Sequence, residues 1–149
     1  MEILPAQRTD AALLSQITKR SKAHWGYSAT QLAAWDAELS LSEEYIESHH
    51  VFKLLIADVV LAYYSLKIPT PRLAHLDNLF VLPEHMGKGY GKALLQHALA
   101  LSRSQACHQL RLDADPNATP FYLKHGFRII DQLPTSIPNR FLPVMVLDL

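Results

Sequence analysis

Hydrophobic residues recur along the first part of the chain with the spacing of a short strand followed by a helix. Residues 1–6 predict the strand. Leu13, Leu14 and Ile17 then fall on one side of the helical turns that follow. Asp10 stands just before these turns, where a side-chain oxygen can accept hydrogen bonds from the first N–H groups of a helix. We therefore expect Asp10 to cap the first helix.

A loop and two further helices are predicted before the next strand. Residues 23–28 place a glycine between aromatic residues, which favours a loop. Ser28 and Ser42 each stand at a position that is typical of a helix N-cap. We expect the helices that follow these serines to end near residues 39 and 49.

The middle of the chain predicts three strands. Residues 51–67 are rich in Val, Ile, Leu and Tyr, and Asp58 is the only turn signal among them, so we expect two strands joined tightly at Asp58. Residues 73–82 alternate imperfectly and predict a third strand, which Pro83 ends. One face of this third strand carries His75, Asp77, Leu79 and Val81.

The second half of the chain alternates helices and strands. Between residues 94 and 99 the apolar positions form a helical stripe. The remaining predicted elements are a strand over 108–114, a short helix that Asn117 caps and Gly126 closes, and strands over 127–130 and 142–149. This order of elements predicts a mixed α/β (α+β) fold in one domain, residues 1–149.

Composition and charge limit the class of protein. At 149 residues and 49% hydrophobic content the chain is long enough to bury a core, and it has the composition of a folded domain. Fourteen Lys and Arg balance fourteen Asp and Glu. A general nucleic-acid-binding protein carries a basic excess, so we expect no nucleic-acid partner.

Other classes of site and location are also disfavoured. Cys107 is the only cysteine, which excludes an internal disulfide and a cysteine-based zinc site. His49 and His50 have the wrong spacing for two ligands on one helical face, so we expect no metal. The apolar run 54–64 is broken by Asp58 and is too short for a membrane helix. The first residues lack the pattern of a secretory signal, and we expect a cytoplasmic protein.

A turn with three alternating glycines is the first candidate for chemistry. It follows a predicted strand and precedes a helix, and its residues are Met86, Gly87, Lys88, Gly89, Tyr90, Gly91 and Lys92. Glycines leave backbone N–H groups uncovered, and the first N–H groups of a helix have no partner within it. Such a turn can hold a phosphate or pyrophosphate, with Lys88 and Lys92 adding positive charge.

Two familiar phosphate-binding loops do not fit this turn. A P-loop would need glycine at Met86 and a hydroxyl residue at Ala93. A dinucleotide-binding fingerprint would need glycine at Lys92. The alternative that stays open is a strand-to-helix turn that only tolerates glycines.

A second candidate lies on the short helix near residue 120. Asn117 precedes this helix, Phe121 can pack inward, and Tyr122 lies about 100° further around. Tyr122 can therefore face a cleft. The alternative is a half-buried tyrosine whose hydroxyl is satisfied within the protein.

Together the two stretches resemble the GNAT superfamily of N-acetyltransferases. The family's acetyl-CoA loop reads Arg/Gln-x-x-Gly-x-Gly/Ala, and Gly89 and Gly91 match it, whereas Met86 departs from its first position. The main chain supplies most of the pyrophosphate contacts in this family, so we expect binding to survive this departure. The family's later element is matched by Asn117, Phe121, Tyr122, Gly126 and Phe127. The order of elements agrees along essentially the whole chain.

The resemblance implies a fold and a cofactor site. The fold is a mixed, mostly antiparallel sheet flanked by helices and splayed between strands 4 and 5. The cofactor is acetyl-CoA, a cosubstrate, with no metal. Its pantetheine arm would pair with Leu79, Phe80 and Val81, its pyrophosphate would lie on residues 86–92, and Asn117 would contact the arm.

The resemblance also implies a mechanism of direct transfer from acetyl-CoA to an amine. Tyr122 would lie beside the thioester sulfur and donate a proton to it, as a general acid. Asp77 and His75 share one face of the strand that would line the cleft, where family members often carry a base. Asp77 is our candidate base and His75 a candidate acceptor-binding residue, with structural roles as the alternative for both.

Three further residues are candidates for the acceptor site. Trp25 and Tyr27 lie in the loop where this family builds one wall of that site, and aromatic rings can frame an aliphatic or cationic group. Their alternative is a place in the core. Arg140, in the proline-rich loop, can pair with an acidic group of a substrate, or can be an ordinary loop arginine.

These observations favour an N-acetyltransferase of a small amine or amino-acid-like acceptor. Two alternatives stay open: acetylation of a protein or peptide amine, and a non-catalytic module that binds acyl-CoA as a sensor. The sequence fixes neither the acceptor nor the base. A homodimer is a further expectation from the family alone.

Overall fold

Strands and helices alternate over residues 1–149, all of which are described by the computed structural model of the protein. In chain order the elements are β1 (Glu2–Pro5), α1 (Ala11–His24), α2 (Ala29–Ala34), α3 (Glu43–Ser48), β2 (His50–Ile56), β3 (Val59–Thr70), β4 (Leu73–Val81), α4 (Tyr90–Ser104), β5 (Gln109–Asp113), α5 (Thr119–Lys124), β6 (Arg128–Pro134) and β7 (Phe141–Asp148). Short 3-10 turns precede α1 and follow β4.

The strands form a seven-stranded mixed sheet in the order β1-β2-β3-β4-β5-β7-β6. Only β4 and β5 are parallel to each other, and they pair over Leu73–His75 and Gln109–Arg111. Their connection is α4, the kind of crossover that parallel neighbours require. The predicted fold class, a mostly antiparallel α/β sheet with flanking helices, is confirmed.

The chain divides into two compact units, which we call unit 1 and unit 2. Unit 1 comprises Met1–Leu66 and Asn78–Ala98, and unit 2 comprises Lys67–Asp77 and Leu99–Leu149. The expectation of a single domain over residues 1–149 stays a prediction. No helix in the chain is both long and apolar enough to cross a membrane.

Unit 1 packs its first helices against the strands β2 and β3. The core of the unit consists of Leu14, Ile17, Leu41, Ile46, Val51, Leu61, Tyr63 and Leu82. The tight turn predicted at Asp58 joins β2 to β3, and Ala57 and Asp58 both have positive φ there, at 48° and 65°. Positive φ at both central residues suits a two-residue hairpin turn.

The start and end of α1 differ from the prediction. Asp10 makes no capping hydrogen bond to the helix; its carboxylate accepts from the N–H of Gln7 and pairs with Lys53 Nζ, each at 2.8 Å. Leu13 is 45% exposed and does not share the buried face of Leu14. The helix also continues to His24, so only the last part of the predicted loop 23–28 is non-helical.

Serine capping is confirmed for both of the following helices. Ser28 Oγ accepts from the N–H of Gln31 at 3.1 Å, and Ser42 Oγ accepts from the N–H of Tyr45 at 3.0 Å. The helix α2 nevertheless ends at Ala34, short of the predicted residue 39, and turns fill the interval.

Unit 2 is built on β5, β7 and β6, which pair antiparallel to one another. Gly126 closes α5 as predicted, with φ of +89°. Asn117 does not cap α5, because the helix begins two residues later and Ala118 holds the N-cap position. The strand β6 runs to Pro134, beyond the predicted residue 130, through a register shift between Ile129 and Asp131.

Candidate functional site

The glycine turn of unit 1 exposes a row of unpaired backbone donors. Gly87 and Gly89 both have positive φ, at 78° and 85°, a region that side chains other than hydrogen rarely permit. None of the N–H groups from Gly87 to Lys92 donates a hydrogen bond to the rest of the chain. The first that does is the N–H of Ala93, which donates to the Gly89 carbonyl at 3.0 Å.

The space and charge around the turn suit an anion. A Cβ atom built on Gly87 or Gly89 would have no heavy atom within 4 Å, so the approach to the backbone is open. The turn leads directly into the 15-residue helix α4, whose dipole places partial positive charge at this end. Lys88 and Lys92 are exposed beside it. The turn can therefore bind a phosphate through main-chain N–H groups.

Met86 is part of the support of the turn. Its side chain is half-buried, and its N–H donates to the Pro83 carbonyl at 3.3 Å. Tyr90, at the first position of α4, packs against the core of unit 1. The turn is thus attached to the unit on either side of its glycines.

The end of β4 in unit 1 is fixed from several directions. Ser21 Oγ, on α1, donates to the Val81 carbonyl at 2.8 Å, and the N–H of Leu82 donates to the Leu61 carbonyl at 2.9 Å. The Phe80 ring lies 6.1 Å from that of Tyr63, centroid to centroid. Leu79 is half-buried. This segment is a firmly held length of backbone immediately before the glycine turn.

Tyr122 in unit 2 is a buried phenol with an unused hydroxyl. The residue is 7% exposed, and its ring packs edge-on against Phe121 and Phe127 at 5.1 and 5.5 Å. The hydroxyl oxygen keeps access to solvent and makes no hydrogen bond within the protein. Burial raises the pKa of Tyr122 above its ordinary value of about 10. The group is therefore a neutral proton donor across the physiological pH range.

Asn117 and Arg140 meet at one carboxylate of unit 2. Asp115 Oδ1 accepts from the Asn117 backbone N–H and from its Nδ2, both at 2.9 Å. Asp115 Oδ2 pairs with an Arg140 guanidinium nitrogen at 3.3 Å, and both side chains are largely buried. The turn before α5 is thus organised by Asp115, a residue that the sequence analysis did not single out for this role.

His75 and Asp77 lie on β4 within unit 2, each next to another charged group. Asp77 Oδ2 lies 3.5 Å from Lys67 Nζ, and His75 Nε2 lies 3.9 Å from Asp113 Oδ2. Burial lowers the pKa of His75 below its ordinary 6.5, although the negative charges of Asp77 and Asp113 act in the opposite direction. At neutral pH the imidazole is therefore uncharged and can accept a proton.

The aromatic candidates of unit 1 differ in environment. Trp25 is 43% exposed and contacts the His24 ring edge-on at 4.9 Å, so its alternative place in the core is not observed. Tyr27 is half-buried and contacts the Trp35 ring at 4.9 Å. The Nζ of Lys22 lies 6.0 Å from the centroid of the Tyr27 ring.

Each unit thus holds its own share of the predicted residues. Unit 1 contains Trp25, Tyr27, residues 79–81 and residues 86–92, and unit 2 contains His75, Asp77, Asn117, Tyr122 and Arg140. One residue that the sequence analysis missed is Arg111, which lies in a cleft of unit 2 together with His75. The signal for it was available, since side chains alternate along the predicted strand 108–114, and Arg111 must then lie on the face opposite the apolar Leu110 and Leu112.

Comparison with known sequences agrees with these motifs. The sequence model described as the acetyltransferase (GNAT) family matches residues 13–127. YafP, an uncharacterized N-acetyltransferase of Escherichia coli (strain K12), is 29% identical over 128 residues, which are 85% of this chain and 77% of that protein. The glucosamine 6-phosphate N-acetyltransferase of Trypanosoma brucei brucei is 39% identical over 56 residues. That match spans 38% of this chain and 38% of the trypanosomal enzyme.

Comparison with solved structures agrees on the fold. The PaiA N-acetyltransferase of Thermoplasma acidophilum, solved in complex with coenzyme A, superposes with a TM-score of 0.83. The match covers 99% of this chain and 98% of that chain at 22% sequence identity. At this identity the likeness concerns the path of the backbone.

Proposed function

The chain belongs to the acetyltransferase (GNAT) family, and we propose that it is an enzyme that transfers the acetyl group of acetyl-CoA directly to a primary amine of a small molecule. The observation that carries the proposal is the row of unpaired N–H groups from Gly87 to Lys92, which coincides with the acetyl-CoA loop of the family. The family members solved with coenzyme A or acetyl-CoA bound support the choice of cofactor.

The pyrophosphate of the cofactor is proposed to lie on the glycine turn. Main-chain N–H groups supply the hydrogen bonds there, so Met86 in place of the usual Arg or Gln removes one side chain and leaves the backbone donors intact. The pantetheine arm is proposed to follow Leu79–Val81, and Asn117 to contact it. Ser21 and Phe80 support this role indirectly, because their contacts hold the end of β4 in place.

The reaction proceeds in one transfer step. The neutral amine nitrogen attacks the thioester carbonyl carbon, a C–N bond forms, and the C–S bond breaks. The amine loses one proton, and the sulfur of CoA gains one. A backbone N–H at the opening of β4 can stabilise the carbonyl oxygen as charge develops on it.

Tyr122 is proposed to donate the proton to the departing sulfur, by its match to the family motif. Three properties support this role: the side chain is buried, its hydroxyl has no partner in the protein, and its pKa is raised. A donor that already served a structural hydrogen bond would have to break that bond first. Hydrogen bonds to a charged group such as a thiolate are stronger than those between neutral groups.

The proton that the amine loses is proposed to be accepted by a side chain on one face of β4 in unit 2. Asp77 is the candidate base because it is a carboxylate on an exposed residue. His75 shares that face and is neutral at physiological pH, so it can accept a proton directly or through water. Trp25, Tyr27 and Arg140 remain proposed acceptor residues, although Arg140 is already paired with Asp115.

Two measurements on the purified protein test the proposed function. Calorimetric titration with acetyl-CoA reports binding, and release of free CoA thiol with a panel of amines reports transfer. The panel contains amino acids, their amides, simple alkylamines, glucosamine 6-phosphate and a peptide with a free N-terminus. Binding followed by amine-dependent thiol release is expected. Binding without release for any amine would favour the non-catalytic module, and no binding would refute the proposal.

A further inference from the structure

A cleft of about 370 Å³ in unit 2 combines charged and apolar walls. Leu110 and Leu112 of β5 are buried on one face of the sheet, so Arg111 and Asp113 lie on the opposite face. His75 is the register partner of Arg111 on the neighbouring strand β4. These three residues share the cleft with further residues of β6 and β7.

Arg111 is the residue of the cleft that most favours binding of an anion. Its Nε is buried and is the only buried side-chain nitrogen or oxygen in the chain without a hydrogen-bond partner. Its guanidinium also forms no ion pair, whereas Arg128 pairs with Asp148 at 2.9 Å and Arg140 with Asp115 at 3.3 Å in the same unit. A buried, unpaired charged donor is costly, and a ligand that pairs with it recovers that cost.

The planar guanidinium fork matches a carboxylate by geometry and charge. The rest of the cleft argues against a doubly charged phosphate, because Asp113 and Asp131 also line it and two carboxylates would repel such a group. The same carboxylates would attract the cationic form of an amine. The single negative charge of a carboxylate, next to an amino group, therefore fits the charge pattern of the cleft.

The remaining wall of the cleft is apolar. Leu73 and Val144 contribute to it from β4 and β7, and Ile130 and Leu133 contribute from β6. Ile130 and Leu133 are 46% and 39% exposed, so an apolar group in the cleft would cover surface that now faces water. The volume is in the range of small-molecule sites.

We propose that this cleft binds the acceptor, and that the acceptor is an amino acid with an apolar side chain whose carboxylate is held by Arg111. The inference rests on the proposed function, in that the bound molecule is the amine that is acetylated. His75 and Asp113, whose Nε2 and Oδ2 lie 3.9 Å apart in the same cleft, would hold the amino group. Binding to the cleft itself requires no transfer, which allows the two ideas to be tested separately.

Three molecules that differ by one group provide the test. L-Leucine carries the carboxylate, L-leucinamide replaces it with a neutral amide, and 3-methylbutylamine lacks it. Each is assayed for CoA release, and L-leucine is also titrated calorimetrically into the protein saturated with CoA. The variants are Arg111→Gln and Arg111→Lys, with Arg128→Gln as the matched control outside the cleft. Thermal unfolding of each variant checks that the fold is intact.

We expect L-leucine to be preferred over both analogues by about 10- to 100-fold in kcat/KM, the effect of one charge-assisted pair. Arg111→Gln should raise the KM for L-leucine by a similar factor, Arg111→Lys by less, and neither should change the KM for acetyl-CoA. Equal use of the three amines, or an Arg111→Gln variant that behaves like Arg128→Gln, would overturn the inference alone. Leucine binding without CoA release would contradict the proposed function and retain the inference. If L-leucine neither binds nor supports CoA release, both the inference and the proposed function are overturned.

Discussion

A Gly89→Ala substitution tests whether Gly89 is needed for cofactor binding or only for the backbone conformation of the turn. Gly89 has φ of +85°, and a Cβ there meets no atom of the protein. Gly26 has φ of +84° with the same open surroundings, in the same unit but outside the glycine turn. Alanine at either position therefore introduces nearly the same backbone strain, which makes Gly26→Ala a matched control.

The expected magnitudes follow from this match. A non-glycine residue in the left-handed region costs about 1–2 kcal/mol, so both variants should lose about that much unfolding free energy. Only Gly89→Ala places a methyl group where the diphosphate is proposed to approach the N–H groups. Displacing a single hydrogen bond to a charged group costs about 1.5–3 kcal/mol, which corresponds to about a 10- to 150-fold weaker Kd.

Calorimetric titration with CoA measures the binding part without any chemistry, and urea unfolding measures the strain. The expected result is equal loss of stability in the two variants and loss of CoA affinity in Gly89→Ala alone. If Gly89→Ala binds CoA within twofold of the unmodified protein, the diphosphate is not held by this turn. If Gly26→Ala weakens binding equally, the effect is one of strain and the reasoning from the open backbone is refuted.

Three further predictions concern catalysis. Tyr122→Phe should lower kcat by about 100-fold or more, because it removes the proposed proton donor. The unfolding free energy should stay within about 0.5 kcal/mol of that of the unmodified protein, because the Tyr122 hydroxyl makes no hydrogen bond in the protein. Unchanged turnover would show that Tyr122 takes no part in the mechanism. Asp77→Asn should lower kcat/KM across the pH range, whereas Lys67→Met, which breaks the same ion pair, should not; equal loss in both would indicate a structural carboxylate. The pKa of His75 is lowered and that of Tyr122 is raised, so kcat at saturating acceptor should fall only below pH 6.5 on the acid side and only above pH 10 on the alkaline side. If a His75→Gln variant shows the same fall in kcat at acid pH, His75 is not the group that causes it.

The features predicted correctly from the sequence are those whose cause is local. The tight turn at Asp58 depends on two adjacent residues, and the caps at Ser28 and Ser42 involve an N–H only three residues away. The burial of the residues around position 95 of α4 follows from helical spacing. Each of these inferences uses a short window of sequence, so the remainder of the fold could not overturn it.

The errors arise where a partner other than the helix N–H groups competes for the predicted capping residue. Asp10 was expected to cap α1, but Lys53, 43 residues away, takes its carboxylate. Asn117 was expected to cap α5, but Asp115 binds its N–H and its side chain in a turn before the helix. In both cases the residue type is suited to the predicted role, and only the three-dimensional arrangement decides which partner is reached.

The same distinction explains why the cofactor is easier to infer than the acceptor. The donors proposed for the pyrophosphate are consecutive backbone groups, so a short motif specifies them almost completely. Arg111 and Arg140, both in unit 2, are alike in sequence terms, yet Arg140 pairs with a carboxylate 25 residues away and Arg111 pairs with none. That difference depends on how β4, β5 and the last loop meet, which no motif encodes. If Arg111 holds the acceptor as proposed, acceptor specificity in this chain depends on strand register and on an unpaired charge, and it can diverge while the cofactor motif stays unchanged.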